Sequence, residues 1–503
     1  MKTASRNKSL AKKQQQLMKK LIQLSIIIIL GLSSNVNAQK MISASIYEII
    51  KSAQAESPDY LLAKTSRENQ EWRYTASKSV FKPQIGFEAT LPNINRSVTQ
   101  INLPGGAQFV NNSFMSNSVG LNMNQVIGAT GGSVFISSNL QRLDQFAQDT
   151  IDARSSYLST PIRIGFVQPL FQLNPYKWDK REAELNYALS KKVYVEDREK
   201  IAFDAVNNFF DLYTTKLSLI EARNNRDYLD SIAVNSEGRF SVGRISETDL
   251  LQIQLSAKNA DGAVARLELG VQNKTEILRD FLGLTNEVDF DFSQPEQITV
   301  YSIDKNKALE YARKNRSQTE QFRLSLLNAE RQVEEAQKNN GPNLLLSGSF
   351  GLTKNAKTFD NAYNNLLDQE GVSLSINIPI VDFGRTKAQR EIAKSNLEIT
   401  RLLVRQNEVT FERDILVNVE QFTLKRDQLK LAEEALEIAL KRLDIAKKRF
   451  QIGKIDVTNL NIAIQEEQGA RQQYFNTLWD LWRAHYTLRN LTLYDFETDT
   501  ALD

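Results

Sequence analysis

Cysteine is absent from this chain, and histidine occurs once, at His485. Without cysteine there can be no disulfide, no thiolate nucleophile and no sulfur ligand for a metal. Nor is there a thiol to acylate at a processed N-terminus. A Ser-His-Asp arrangement would have to use His485. That residue lies among Trp479, Leu481, Trp482 and Tyr486 on a helix and reads as an ordinary packed or half-exposed side chain. Glycine and proline are also scarce, 21 and 10 in 503 residues, while 24% of the chain is charged. Such a balance suits long amphipathic helices better than compact α/β domains. Gly128-Ala-Thr-Gly-Gly132 lacks the Lys-Ser/Thr that completes a phosphate-binding loop, so it reads as a hairpin turn. No catalytic residue, cofactor or metal set is expected, and the chain is read as a non-enzyme.

Long apolar runs are missing too, except near the N-terminus. Residues 1–20 carry six Lys, one Arg and no acid, and Leu21–Leu32 is an apolar run centred on Ile26–Ile29. Val36-Asn37-Ala38 then offers a small-residue cleavage site. This is the grammar of a secretory signal peptide over residues 1–38; the run is too short for the roughly 20 apolar residues of a spanning helix. The full chain has 63 basic and 60 acidic residues, and all seven charges of the leader are basic. Its removal leaves 56 against 60, a net charge of −4, so no nucleic-acid partner is implied. An exported chain without a later apolar span can sit in a membrane only as a β-barrel.

What the sequence does contain is a repeat. Arg239-Phe240-Ser241-Val242-Gly243-Arg244-Ile245 recurs as Arg449-Phe450-Gln451-Ile452-Gly453-Lys454-Ile455, an offset of 210. Thr248, Asp249 and Leu250 pair with Thr458, Asn459 and Leu460, and Pro169, Ala222 and Arg279 with Pro379, Ala432 and Arg489. Upstream, Ala53 pairs with Ala312 and Pro83 with Pro342 at an offset of 259. The difference of 49 marks an insertion in the first copy. The predicted division is a first repeat over 39–283, a linker over 284–303 and a second repeat over 304–503. Each repeat is expected to run helix (43–82; 304–341), strands (84–170; 343–380), very long helix (175–240; 383–448), glycine turn and shorter helix (246–283; 456–493). Val288, Phe290 and Phe292 suggest a short extended segment in the linker.

Leu429, Ala432, Leu436, Ala439, Leu443, Ala446 and Phe450 step by alternate threes and fours, the period of a coiled-coil seam. The first copy keeps Leu219, Ala222, Leu229, Ala233 and Phe240 but has Arg226 and Ser236 in the same register. Strands are expected at 84–91, 118–127, 133–140, 160–170, 343–353 and 371–380, joined by long polar loops at 92–117, 141–159 and 354–370 and one tight turn at 128–132. In the last strand Val372, Leu374, Ile376, Ile378 and Ile380 alternate with polar residues. Alternation alone also fits a soluble sandwich; strand length and the leader favour a lipid-facing barrel.

The doubled Arg-Phe-x-x-Gly motif with Thr248-Asp249-Leu250, and Ile378-Pro-Ile-Val-Asp-Phe-Gly-Arg385 leading from strand to helix, make the chain resemble the TolC-like outer-membrane factors, or outer membrane efflux proteins. The resemblance implies an α+β membrane protein and a homotrimer. An outer-membrane β-barrel is continued by a long periplasmic α-helical coiled-coil barrel. It implies a passive exit duct of a tripartite efflux or type I secretion system, with a periplasmic adaptor and an RND- or ABC-type inner-membrane pump as partners. Carried over, Arg239, Phe240, Val242, Gly243, Arg244, Arg449, Phe450, Ile452, Gly453 and Lys454 become adaptor-docking tips. Thr248, Asp249, Asn459 and Ile462 become a candidate periplasmic gate. Two departures stand out. The first repeat supplies four strands where the family usually has two, and Asn459 and Ile462 stand where acids are common. Lys447-Lys448-Arg449 ends the long helix, where cations favour the dipole. The competing reading is a periplasmic or surface coiled-coil structural protein or adhesin with a β-rich head. It predicts solubility without detergent.

Overall fold

The computed structural model describes residues 40–103, 106–147, 153–284, 288–298 and 301–502; the leader expected over 1–38 lies outside the described residues. The chain runs β1 (Lys40–Ala44), α1 (Ile46–Glu56), α2 (Pro58–Ser79), β2 (Gln84–Leu103), β3 (Gly106–Ile127), β4 (Gly132–Gln145), β5 (Arg154–Leu170), α3 (Pro175–Ser241) and α4 (Glu247–Leu282). It continues with β6 (Val288–Phe292), α5 (Lys305–Asn315), α6 (Ser317–Lys338), β7 (Asn343–Ala356), β8 (Leu367–Asn377), α7 (Arg385–Gln451) and α8 (Val457–Thr492). The two offsets hold element for element. Adding 210 to the bounds of α3 and α4 gives those of α7 and α8, and adding 259 to those of α1 and α2 gives α5 and α6. No described helix is long and apolar enough to cross a membrane.

The helical stretches expected over 43–82 and 304–341 are each broken in two. Pro58 cannot donate to the preceding turn, and Ser57 caps α2 by accepting the Tyr60 N–H at 3.1 Å. Arg316, in extended conformation, ends α5 and opens α6. The start of the first stretch is also a strand, β1, rather than helix.

Two compact units emerge: residues up to Ser52 with Asn208–Glu296, and Ala53–Asn207 with Gln297–Asp503. The boundary falls inside α3, so units and repeats divide the chain differently. In the first unit, β1 pairs in parallel with β6, which is the extended segment expected in the linker. Phe209, Phe210 and Phe290 are fully buried beside this pair, and the Lys216 ammonium reaches Asp289 at 2.7 Å. Leu229 of α3 is buried with Ala257 and Ala260 of α4, where small residues allow close approach.

The second unit holds the seam of α7 and α8. Leu429, Ala432 and Ala446 are buried as the period requires, and Leu460, Leu478, Leu481 and Trp482 of α8 are buried as well. Full burial of such side chains contributes roughly 1.5–3 kcal/mol each. At 1.5 Å per residue, α7 alone is about 100 Å long. Lys425 and Asp480 bridge the two helices at 2.7 Å.

The same unit contains one six-stranded antiparallel sheet in the order β2-β3-β4-β5-β7-β8, so the inserted strands of the first repeat join those of the second. Two expectations are corrected here. Residues 92–117 are not a loop: β2 and β3 pair continuously from Gln84 opposite Asn124 to Leu103 opposite Gly106, with one irregularity between Thr90 and Asn93. Beyond Phe114 the hairpin has no β4 partner; both its faces are open, so no apolar alternation marks it in the sequence. The last strand is Leu367–Asn377 rather than 371–380, which leaves Ile378 and Ile380 outside the sheet.

Candidate functional site

The two faces of this sheet differ in chemistry from one edge to the other. Ile85, Met123, Ile136, Ile164 and Phe350 stand in one cross-strand row. Val134, Phe166, Gly348 and Val372 form another on the same face. One residue along each strand, the opposite face carries Gly86, Asn122, Ser137, Arg163, Gly351 and Gln369 in a single row. Glu88 accepts from Asn122 on that face at 2.8 Å. Phe135 is its main apolar exception; its ring lies where a Cβ on Gly165 would stand, 2.4 Å away, so glycine is required there. On the apolar face the first row ends on Glu370 at β8 and the second begins on Gln125 of β3; a sheet with one mainly apolar face and one polar face separates lipid from water. Its edges, β2 and β8, are unpaired within the chain, and every residue of β8 is exposed.

The two helix turns were read from sequence as tips. In the first, Gly243 has φ +71° and donates its N–H to Phe240 O at 2.9 Å, while the Arg244 N–H reaches Arg239 O at 2.9 Å. In the second, Gly453 has φ +72°, with Gly453 N–H to Phe450 O at 3.0 Å and Lys454 N–H to Arg449 O at 2.9 Å. Both are Schellman caps, in which a left-handed glycine satisfies the last helical carbonyls. Phe240, Val242 and Ile452 are exposed, as are Arg244, Arg449 and Lys454 around them, while Phe450 is half-buried.

The next helix starts locally as well. Ser246 and Asp249 form a capping box: Ser246 Oγ accepts the Asp249 N–H at 3.1 Å, and Asp249 Oδ2 accepts the Ser246 backbone N–H at 3.3 Å. In the second tip the acid moves to the cap itself. Asp456 accepts the Asn459 N–H at 2.8 Å and its amide at 2.9 Å. The first tip thus places Glu247 and Asp249, and the second Asp456, at a helix start, where the dipole favours a carboxylate. Asp249 and Asn459 are therefore engaged in caps, whereas Thr248 and Ile462 are exposed. The caps at Ser246 and Asp456 were missed in the sequence, although Ser-x-x-Asp is a readable signal. So was Asp382 of the Ile378–Arg385 motif. It accepts the N–H of Gly384 at 3.0 Å and of Thr386 at 2.9 Å; the Thr386 hydroxyl, then these backbone bonds, hold its carboxyl below the usual carboxylate range.

His485 is buried on α8 with Nδ1 2.7 Å from the Tyr301 hydroxyl. Burial, then the nearby Arg489 guanidinium, push its pKa down to about 4 against the opposing pull of Asp495. With Asp495 and Glu497 it forms a group of potential metal ligands within 4.8 Å of one another. Asp495, however, is committed to Arg489 at 2.6 Å and to the backbone N–H of Glu497 at 2.9 Å. Arg489 also binds Glu199 at 2.8 Å. The group is a packed ion network, and a cation there would have to displace a guanidinium.

Residues 308–492 match the family model for outer membrane efflux proteins. Among solved structures, the fold resembles the Campylobacter jejuni CmeC outer membrane channel (16% identity, TM-score 0.62, covering 89% of this chain and 85% of that one). It also resembles the Vibrio cholerae outer membrane protein VceC (15%, 0.61, 91% and 97%) and the open state of the Neisseria gonorrhoeae MtrE outer membrane channel (12%, 0.61, 89% and 88%). Comparison with curated protein sequences finds no match. Residues 308–492 thus match the outer membrane efflux protein family, and over nearly its whole length the chain has the fold of these outer-membrane channels.

Proposed function

We propose that the chain is the passive exit duct of a tripartite efflux or type I secretion system. In this reading three copies close their sheets into one outer-membrane barrel, and the helices of the three continue it through the periplasm. The observation that carries it is the two-faced sheet with both edges open. β2 leaves the helical end and β8 returns to it, so β8 of one copy meets β2 of the next antiparallel, the geometry that barrel closure needs. Six strands per chain make an eighteen-stranded barrel in three copies, a size class that leaves an aqueous channel. Energy and selection then belong to a pump in the inner membrane, reached through an adaptor.

The glycine turns are the adaptor-docking tips. Each presents exposed apolar residues ringed by bases at a helix end, a surface that fits the apolar and acidic faces of a helical hairpin. In the same reading Thr248, Asp249, Asn459 and Ile462 are the candidate gate residues. Crosslinking in cells at Val242 and Ile452, followed by identification of the captured proteins, should return a periplasmic helical adaptor. Replacing Gly243 and Gly453 together with valine should abolish both capture and export while the barrel still assembles. Valine is strained at a φ near +70° even where nothing crowds its Cβ. Full export from that double variant would overturn the tip assignment.

A further inference from the structure

We propose that a second copy of the chain docks its α2 helix on α7 in one fixed antiparallel register, with Trp72 beside Ile392 and Leu61 beside Leu402. The inference rests on the multi-copy duct reading and specifies the contact by which the copies meet. It starts from an interface inside one copy. There α6 of the second repeat lies against α3 of the first. Trp178 Nε1 donates to Glu334 at 2.9 Å. Arg331 bridges Asp179 at 2.9 Å and Glu182 at 3.2 Å, and Lys192 bridges Glu320 at 3.1 Å.

The repeat offsets carry that interface onto a second pair of surfaces. Subtracting 259 takes α6 to α2, and adding 210 takes α3 to α7. Arg331 and Glu182 become Trp72 and Ile392; Glu320 and Lys192 become Leu61 and Leu402; Glu334 and Trp178 become Thr75 and Ala388. The Arg331–Glu182 and Lys192–Glu320 ion pairs are each replaced by a pair of large apolar residues, and Asp179 becomes the uncharged Gln389. All four are exposed in the single chain: Leu61 by 53%, Trp72 by 72%, Ile392 by 60% and Leu402 by 55%. Leu62, Ile399 and Leu403 beside them are exposed too. Among the described residues no hydrogen bond or ion pair joins α2 to α7.

The change of chemistry has a physical reason. Inside one copy the covalent chain already holds α6 near α3, so the contact can be ionic and serve mainly to set register. Between copies nothing but the contact itself brings the helices together, and burial of apolar surface is the term that drives association. The two faces are different surfaces of one chain, so the contact is heterologous. It propagates from copy to copy until a ring closes.

The chain contains no cysteine, so crosslinks can be placed freely. In detergent-purified protein, the paired substitutions Leu61→Cys and Leu402→Cys should give two- and three-chain bands with a short bismaleimide. Trp72→Cys with Leu402→Cys, eleven positions out of register along α2, should give none. Trp72→Arg alone and Ile392→Glu alone should each weaken assembly by about tenfold or more, since each leaves an unpaired charge at an apolar contact. Together they recreate the Arg331–Glu182 pair between copies and should restore it. A particle of three-chain mass without the Leu61–Leu402 crosslink overturns this register and leaves the duct reading standing. A monomeric particle overturns both. Crosslinks from single-cysteine variants in cells to a different protein, with none between copies, assign the face to that partner and overturn the inference.

Discussion

The ring of His485 remains neutral in the folded chain down to about pH 4, whereas in an unfolded chain it takes up a proton below about pH 6.5. Between those values the unfolded state holds the extra proton, so stability falls as pH drops from about 6.5 to about 4, by about 3 kcal/mol per chain. Below that window both states are protonated and this contribution stays lost. Unfolding in urea at a series of pH values measures the effect. His485→Gln, which keeps a polar group for Tyr301, should flatten the curve within the window; an unchanged curve would assign the acid sensitivity to other groups. The sequence reads this residue as an ordinary packed or half-exposed side chain. What it left open was whether the ring is packed or half-exposed. That depended on Tyr301 and Asp495, which approach from 184 residues upstream and from beyond the end of α8.

At the level of elements, the long helices were the most legible, because a seam repeated over many turns leaves few alternatives. Their two copies end at equivalent residues, as the motif Arg-Phe-x-x-Gly required. The strands were legible only where one face meets an apolar phase. Val119, Leu121 and Met123, and Val134, Ile136 and Leu140, revealed the inserted strands, and the sheet order places both within the sheet. From Phe114 to Gln145, β3 and β4 are ladder strands with partners on both sides. Cysteines at Leu121 and Ile136 should therefore be reached by lipid-phase quenchers, and one at Asn122 by aqueous thiol reagents. The reverse pattern would turn the sheet inside out. The outer half of the β2–β3 hairpin was invisible for a physical reason: Asn, Ser, Thr and Gln can pair through backbone alone, and with water on both sides nothing selects an alternating pattern.

For the whole molecule, the single chain leaves a great deal of apolar surface without cover. Along α7, Leu403, Val417, Leu424, Leu431, Ile438 and Ile445 are all exposed and fall on one seven-residue register interrupted at Thr410, a second apolar stripe on a helix whose first seam is already buried. Together with two open sheet edges this calls for further copies. Native mass measurement in detergent should give three chains, and transfer out of detergent should precipitate the protein; a soluble monomer would restore the reading as a coiled-coil structural protein or adhesin.

The sequence by itself determined the duplication and its offsets, the long helices with their seams, and the glycine turns, because each of these follows from local chemistry repeated along the chain. Only the tertiary structure decided that the inserted strands share one sheet with those of the second repeat, that β1 pairs with β6, that Asp249 and Asn459 belong to helix caps, and which apolar positions remain uncovered. Those facts depend on which distant segments meet, and a periodic pattern states that a face must be covered without stating by what.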